Sequence, residues 1–248
     1  MMNVAHYLDS TYLKTPQQSG ISNEETLQKD KELAQEAIDH GIFAVMIRPD
    51  YVKEIRKYIQ ERNSNVVVGT VIGFHEGTYS VDEKLTEASK AIEDGADELD
   101  FVINYSAYLE GDTALVKDEF IQCTQLSLNH HKVVKWIIEI AALTDDQIAD
   151  LTQKISTWAT ENFSESDLSR IFVKSSTGFY ETTGGKPNGA TFEGIKIMLD
   201  NAGKLPVKAA GGVRTPEDAE KMIRMGVQRI GTSSALALIK NQTSSEGY

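Results

Sequence analysis

Two lysines end short apolar runs in the C-terminal half of the chain, one in IFVKSSTG (residues 171–178) and one in LPVKAAGG (residues 205–212). A buried ammonium is costly unless something compensates it or uses it. In a barrel strand, alternate side chains face the interior. With Ile171 and Val173 turned toward covering helices, Phe172 and Lys174 point inward; with Val207 turned outward, Lys208 points inward. Neighbouring strands lie ~4.8 Å apart, so two such ammonium groups come within about 6 Å, where an effective dielectric near 20 gives ~3 kcal/mol of repulsion, about two pKa units. Lowering a lysine from ~10.4 to ~8.4 raises its neutral fraction at pH 7 about a hundredfold, and a neutral amine attacks carbonyls to form Schiff bases. A single lysine so placed is equally at home snorkelling to solvent or pairing with a carboxylate. The paired placement favours chemistry.

A third group lies in ADELDFVINY, where Leu99, Phe101 and Ile103 share one face and Asp100 takes the other. A carboxylate beside two lysines either neutralises them or holds a water and shuttles protons. Lys135 and Glu139 on VVKWIIE, with Asp9 on the first strand, complete a polar interior network that tunes charge. Near the end of the chain, AGGVRTPED carries Gly211 and Gly212 in a turn, and RIGTSSALA leads through Ser233 and Ser234 into a helix. Backbone N–H groups and hydroxyls in such turns form an anion site, and barrels often bind phosphate after strands seven and eight. The same residues also suit plain turns and helix caps.

The elements that must position these groups repeat with a period of roughly thirty residues, as βα units around a parallel sheet do. Strands are expected at 6–11, 42–47, 66–72, 98–103, 133–139, 170–174, 205–209 and 227–231. Helices are expected near 24–40, 50–60, 80–94, 114–129, 144–160, 190–202, 216–225 and 233–240. Eight such units make a closed (β/α)₈ barrel with its site at the C-terminal ends of the strands. An open doubly wound sheet is the competitor, but no GxGxxG turn follows the first strand. The expectation is one barrel domain over 1–248, with a loop at 180–189 on the active-site face and a flexible polar tail at 241–248.

Composition narrows the partners. With 25 basic against 37 acidic residues the net charge is -12, which opposes nucleic acid and anionic membranes, so an anionic ligand must be captured by local donors. The N-terminal segment lacks a basic-then-apolar leader, and the apolar runs are too short to cross a bilayer, so a cytoplasmic location is expected. The single cysteine, Cys123, reads as a buried small hydrophobe. None of the five histidines lies in HExxH, and the pair His130 and His131 reads as a helix end, so no metal is expected.

The chain closely resembles the deoxyribose-phosphate aldolases, from YLDSTYLK near the N-terminus through VIGFHEG, DGADELDFVIN, VKSSTGF, VKAAGGVRT and IGTSS. The resemblance implies a class I aldolase on a (β/α)₈ barrel, cleaving 2-deoxy-D-ribose 5-phosphate reversibly to D-glyceraldehyde 3-phosphate and acetaldehyde without metal or organic cofactor. It implies Lys174 as the Schiff-base residue, Lys208 and Asp100 in proton transfer, and phosphate binding at Gly178, Gly211, Gly212, Ser233 and Ser234. It also raises the terminal Tyr248, since some relatives end in a tyrosine that reaches the site. Three positions depart from the family pattern: Met46 for a cysteine, His75 for a proline and Ile140 for a threonine. A Schiff-base lyase for a ketose phosphate and a non-catalytic sugar-phosphate-binding barrel are the alternatives. A homodimer would be ordinary for such a barrel.

Overall fold

The computed structural model describes residues 3–240 and 242. Eight strands, β1 (Leu8–Thr11), β2 (Ala44–Ile47), β3 (Val67–Ile72), β4 (Glu98–Val102), β5 (Val133–Ile137), β6 (Ile171–Lys174), β7 (Val207–Ala210) and β8 (Arg229–Thr232), pair in sequence order, all parallel. β8 returns to β1, with Asp9 opposite Gly231, and closes the barrel. The helices are α1 (Pro16–Ser19), α2 (Asn23–His40), α3 (Val52–Gln60), α4 (Val81–Glu93), α5 (Tyr105–Leu109), α6 (Thr113–Asn129), α7 (Asp145–Asn162), α8 (Glu165–Leu168), α9 (Phe192–Asn201), α10 (Pro216–Met225) and α11 (Ala235–Ile239). No helix among the described residues is long and apolar enough to cross a membrane.

Local sequence accounts for where the elements start and stop. Ser22, Ser80 and Thr144 each close a capping box with the residue three positions on, Glu25, Glu83 and Gln147, which satisfies amide donors that a helix start leaves open. β2 begins at Ala44 instead of 42 because the Ile42 amide folds back to the Ala37 carbonyl and finishes α2. β7 begins after Pro206, which lacks the N–H a strand interior needs. β5 stops at Ile137, short of the expected 139, because Glu139 takes a left-handed φ of 55°.

The outward side chains Leu99, Phe101, Trp136, Ile171, Val173 and Val207 belong to one apolar core between barrel and helices, with the Phe101 and Trp136 rings stacked at 5.1 Å. Cys123 lies in that core, and burial pushes its thiol up to about 12, so it is a packing residue. A smaller apolar cluster of Leu13, Met46 and Val71, backed by Phe74 and Phe179, stands apart from it. Met46 fits because residue 69 is glycine: a Cβ there would lie 2.5 Å from the Met46 methyl carbon. His75 stacks on Phe179 at 5.6 Å, so two of the departures from the family pattern meet at this patch.

Among the described residues one ion pair is wholly buried outside the barrel. Lys84 on α4 donates to the carbonyls of Gly77 (2.7 Å) and Val102 (2.8 Å) and to Glu119 Oε1 on α6 (2.8 Å). It pins the loop after β3 to the end of β4. Gly77 is required there, since at φ 72° any Cβ would collide with the Ile103 carbonyl.

Candidate active site

Strand parity places Asp100, Lys174 and Lys208 inside the barrel, and register brings them together: Lys174 stands opposite Lys208 on β6 and β7, and Asp100 opposite Lys135 on β4 and β5. Both Lys174 and Lys208 donate to Asp100 Oδ2 at 2.8 Å, and Lys135 donates to Oδ1 at 2.6 Å. Two ammonium groups that share one oxygen are separated by no more than twice that bond length. Asp100, Lys135 and Lys208 are completely buried, whereas Lys174, the last residue of β6, keeps 3% of its surface open. It is the cluster amine nearest to solvent access.

The network continues toward the N-terminal end of the barrel. Asp9 pairs with Lys208 at 2.5 Å and accepts from Arg229 Nε at 2.8 Å. Glu98 pairs with Lys135 at 2.7 Å and accepts from Arg229 at 3.0 and 3.1 Å. Asp9 and Lys135 therefore take their expected places. Glu98 and Arg229 were not anticipated, although both carried the signal: Glu98 precedes Asp100 by two residues and Arg229 precedes Gly231 by two. Glu139 does not join them. From its left-handed position it accepts from the amide of Thr177 at 3.0 Å and from the Thr177 hydroxyl, and burial lifts its carboxyl to about 7. Ile140, the third departure, opens the following turn with its amide on the Ser175 carbonyl at 2.9 Å. Tyr248 lies outside the described residues.

The charges sort the two lysines that sequence left symmetric. Burial lowers Lys174 to about 8, with Lys208 adding to the fall and Asp100 resisting it. Burial would lower Lys208 as well, but Asp100 and Asp9 together outweigh it and its pKa rises. The difference is one carboxylate: Lys208 has two, Lys174 shares one. Burial contributes more to the Lys174 shift than does repulsion from Lys208. Burial opposes ionisation of Asp100, yet the three lysines hold it well below the usual carboxylate range. Asp9 is brought to about 2, burial being overcome by Arg229 and Lys208.

The loops after β6, β7 and β8 are sewn together beside this cluster. The Ala190 amide donates to the carbonyls of Ala210 (3.0 Å) and Gly211 (3.1 Å), and the Gly211 amide to the Gly231 carbonyl (3.2 Å). The amide of Gly211 is thus spent within the protein. Gly212 has φ 75°, and a Cβ there would press on the Ala190 carbonyl at 2.9 Å. Gly178, at φ 82°, lends its carbonyl to Asn188 at 2.9 Å. Ser233 is exposed and Ser234 buried, its amide on the Thr232 hydroxyl at 3.0 Å. Gly212 lines a groove with Lys186 and Arg214, and Ser233 lines another with Lys14 and Lys29. Glu32 and Glu36 line the same groove as Lys14 and Lys29, so only the Gly212 groove is positive, and sequence reasoning had passed over all four cations. No group of three or more metal-ligating side chains occurs among the described residues.

The model for a DeoC/LacD family aldolase matches residues 4–241. The chain belongs to the DeoC/LacD aldolase family. Within that family it is 37% identical over 238 residues to the deoxyribose-phosphate aldolase of Caldicellulosiruptor saccharolyticus, covering 95% of this chain and 96% of the relative. It is 38% identical over 246 residues to that of Thermococcus gammatolerans, covering 99% of each. Among solved structures, the tetrameric deoxyribose phosphate aldolase of Aeropyrum pernix superposes with a TM-score of 0.76 at 28% identity, over 96% of this chain and 89% of that one. The DeoC/LacD assignment agrees with the barrel expected from the sequence.

Proposed function

We propose that this DeoC/LacD aldolase cleaves 2-deoxy-D-ribose 5-phosphate reversibly to D-glyceraldehyde 3-phosphate and acetaldehyde through a Schiff base on Lys174. The observation that carries the reading is the shared Asp100 oxygen: it holds two amines together while leaving Lys174 with a pKa of about 8 and the only opening to solvent in the lysine cluster. At pH 7 roughly one such amine in ten is neutral and able to attack the open-chain aldehyde. Loss of water gives the protonated imine, which accepts the electron pair of the C2–C3 bond as that bond breaks and the C3 hydroxyl gives up its proton. The resulting enamine is protonated at carbon, and hydrolysis releases acetaldehyde and the free amine. Asp100 and the charged Lys208 hold a water between them, and through that water the proton of the C3 hydroxyl passes to the enamine carbon. The phosphate sits at the turns of Gly178, Gly212, Ser233 and Ser234, with Arg214 and Lys186 supplying charge; Gly211 shapes the turn with its carbonyl and φ.

This reading makes the protein an enzyme of deoxyribonucleotide breakdown acting in the cytoplasm as a single barrel domain. We place it as a self-associating protein, a homodimer at least. Incubation with acetaldehyde and borohydride is the test: a reduced two-carbon adduct should map to the Lys174 peptide. Lys174→Arg keeps the positive charge without a readily deprotonated amine, and should fold yet neither trap nor turn over. Labelling of Lys208 instead would overturn the assignment of roles.

A further inference from the structure

The interior of the barrel holds four cations, Lys135, Lys174, Lys208 and Arg229, against three carboxylates, Asp9, Glu98 and Asp100, in one connected network. With every group ionised the network carries one surplus positive charge, and loss of one proton makes it neutral. Around Lys174 stand Asp100 from β4, Lys135 from β5, Glu139 from the turn after β5 and Lys208 from β7. Behind these lie Asp9 on β1, Glu98 on β4 and Arg229 on β8, with Phe43 over the Arg229 guanidinium at 3.9 Å.

We infer that Arg229 and Glu98, which open β8 and β4 two strands to either side of Lys174 on β6, are positioning residues that set how much of the Asp100 charge the Lys174 amine receives. The inference rests on the reading of Lys174 as the imine-forming residue. Lys135 and Lys208 each divide themselves between Asp100 and a second carboxylate, Glu98 or Asp9, and Arg229 is the second partner of both those carboxylates. Without Arg229, Asp9 and Glu98 draw harder on Lys208 and Lys135. Asp100 is then released to Lys174, and one cation is gone; both effects make Lys174 hold its proton more tightly. Without the Glu98 charge, Lys135 leans wholly on Asp100 and withdraws it from Lys174, and one anion is gone; both effects loosen the proton. Arg229 stands two strand spacings from Lys174 in register through Lys208, and Glu98 two strands away on the other side and lower in the barrel; side chains that turn inward bring both charges to on the order of 10 Å from the Lys174 amine, where an effective dielectric near 20 gives about one pH unit for each.

The test is the titration of Lys174 by competitive labelling with acetic anhydride and peptide mass spectrometry, which reads the amine without turnover. Arg229→Gln should move the midpoint up by about one unit, leaving roughly a tenth as much neutral amine at pH 7, and Glu98→Gln should move it down by a similar amount. The double variant removes one charge of each sign and should return near the wild-type midpoint; Arg229→Lys should stay there. Should Arg229→Gln not fold, Glu98→Gln against Arg229→Lys carries the comparison. Shifts in the same direction for both single variants, no shift in Glu98→Gln, or a double variant displaced further than either, would overturn the inference. Acetaldehyde trapping on the same proteins separates the two readings: loss of trapping at wild-type Lys174 removes the imine role, while the labelling midpoints still judge the network.

Discussion

Replacing Lys84 with methionine tests how the loop after β3 is held. The ammonium makes three bonds of 2.7–2.8 Å, to Gly77, Val102 and Glu119, and both it and Glu119 are fully buried. Methionine keeps most of the stem but leaves Glu119 facing two carbonyls with no cation. Breaking a buried pair from one side costs ~3–5 kcal/mol. For a barrel of this size each kcal/mol moves Tm by roughly 2–4 °C, so Lys84→Met should lower Tm by roughly 6–20 °C. The pH dependence follows from Glu119, whose carboxyl burial already lifts to about 7 and which Lys84 holds down. With Lys84 gone that pKa climbs further above its unfolded value, so Glu119 stays neutral near pH 5.5 and the cost of burying its charge grows as pH rises. Thermal unfolding at pH 5.5 and pH 8.5 should therefore show the larger loss at pH 8.5, and Lys84→Met with Glu119→Gln should recover much of it. A variant melting within about 2 °C of wild type at both pH values, or a double variant as unstable as the sum of its parts, would refute the pinning argument.

Lys208→Leu should raise the pH midpoint of imine trapping at Lys174 above about 8, by about two units, because the repelling cation goes and Asp100 Oδ2 is left to Lys174 alone; an unmoved midpoint would show that the amines are not coupled. Ser233→Asp, at an exposed position, should lower kcat/KM for deoxyribose 5-phosphate by roughly tenfold or more while sparing unphosphorylated deoxyribose. Equal losses on the two sugars would take Ser233 out of the anion site.

The central trio was legible because strand alternation and the thirty-residue period act locally: Lys208 and Asp100 sit between apolar neighbours, and Lys174 follows the apolar run Ile171–Val173, which fixes their direction. Glu98 and Arg229 obey the same alternation, yet each follows a polar residue, Asp97 or Gln228, so no apolar pair brackets it to fix its direction. Glu139 was misplaced on a strand since the apolar pattern runs through Ile138, and nothing in that pattern announces a left-handed residue. Lys84 resembles any helix-surface lysine; only the packing of α4 against α6 buries it. Arg214 and Lys186 become neighbours through loops that carry no period at all.

The Asp9–Arg229 contact joins residues 220 apart in the chain, so the Asp9 and Glu98 carboxylates lack the guanidinium they share until all eight strands exist. At a synthesis rate of ~5–20 residues per second, the carboxylate of the first strand waits roughly 10–40 seconds for its guanidinium. During that interval Asp9 and Glu98 are better off in water than in a collapsed core, which discourages a partial barrel from closing early on the wrong edge. The charged axis thus serves as a check on completeness: the last strand supplies the guanidinium that ties the carboxylates of the first and fourth strands together.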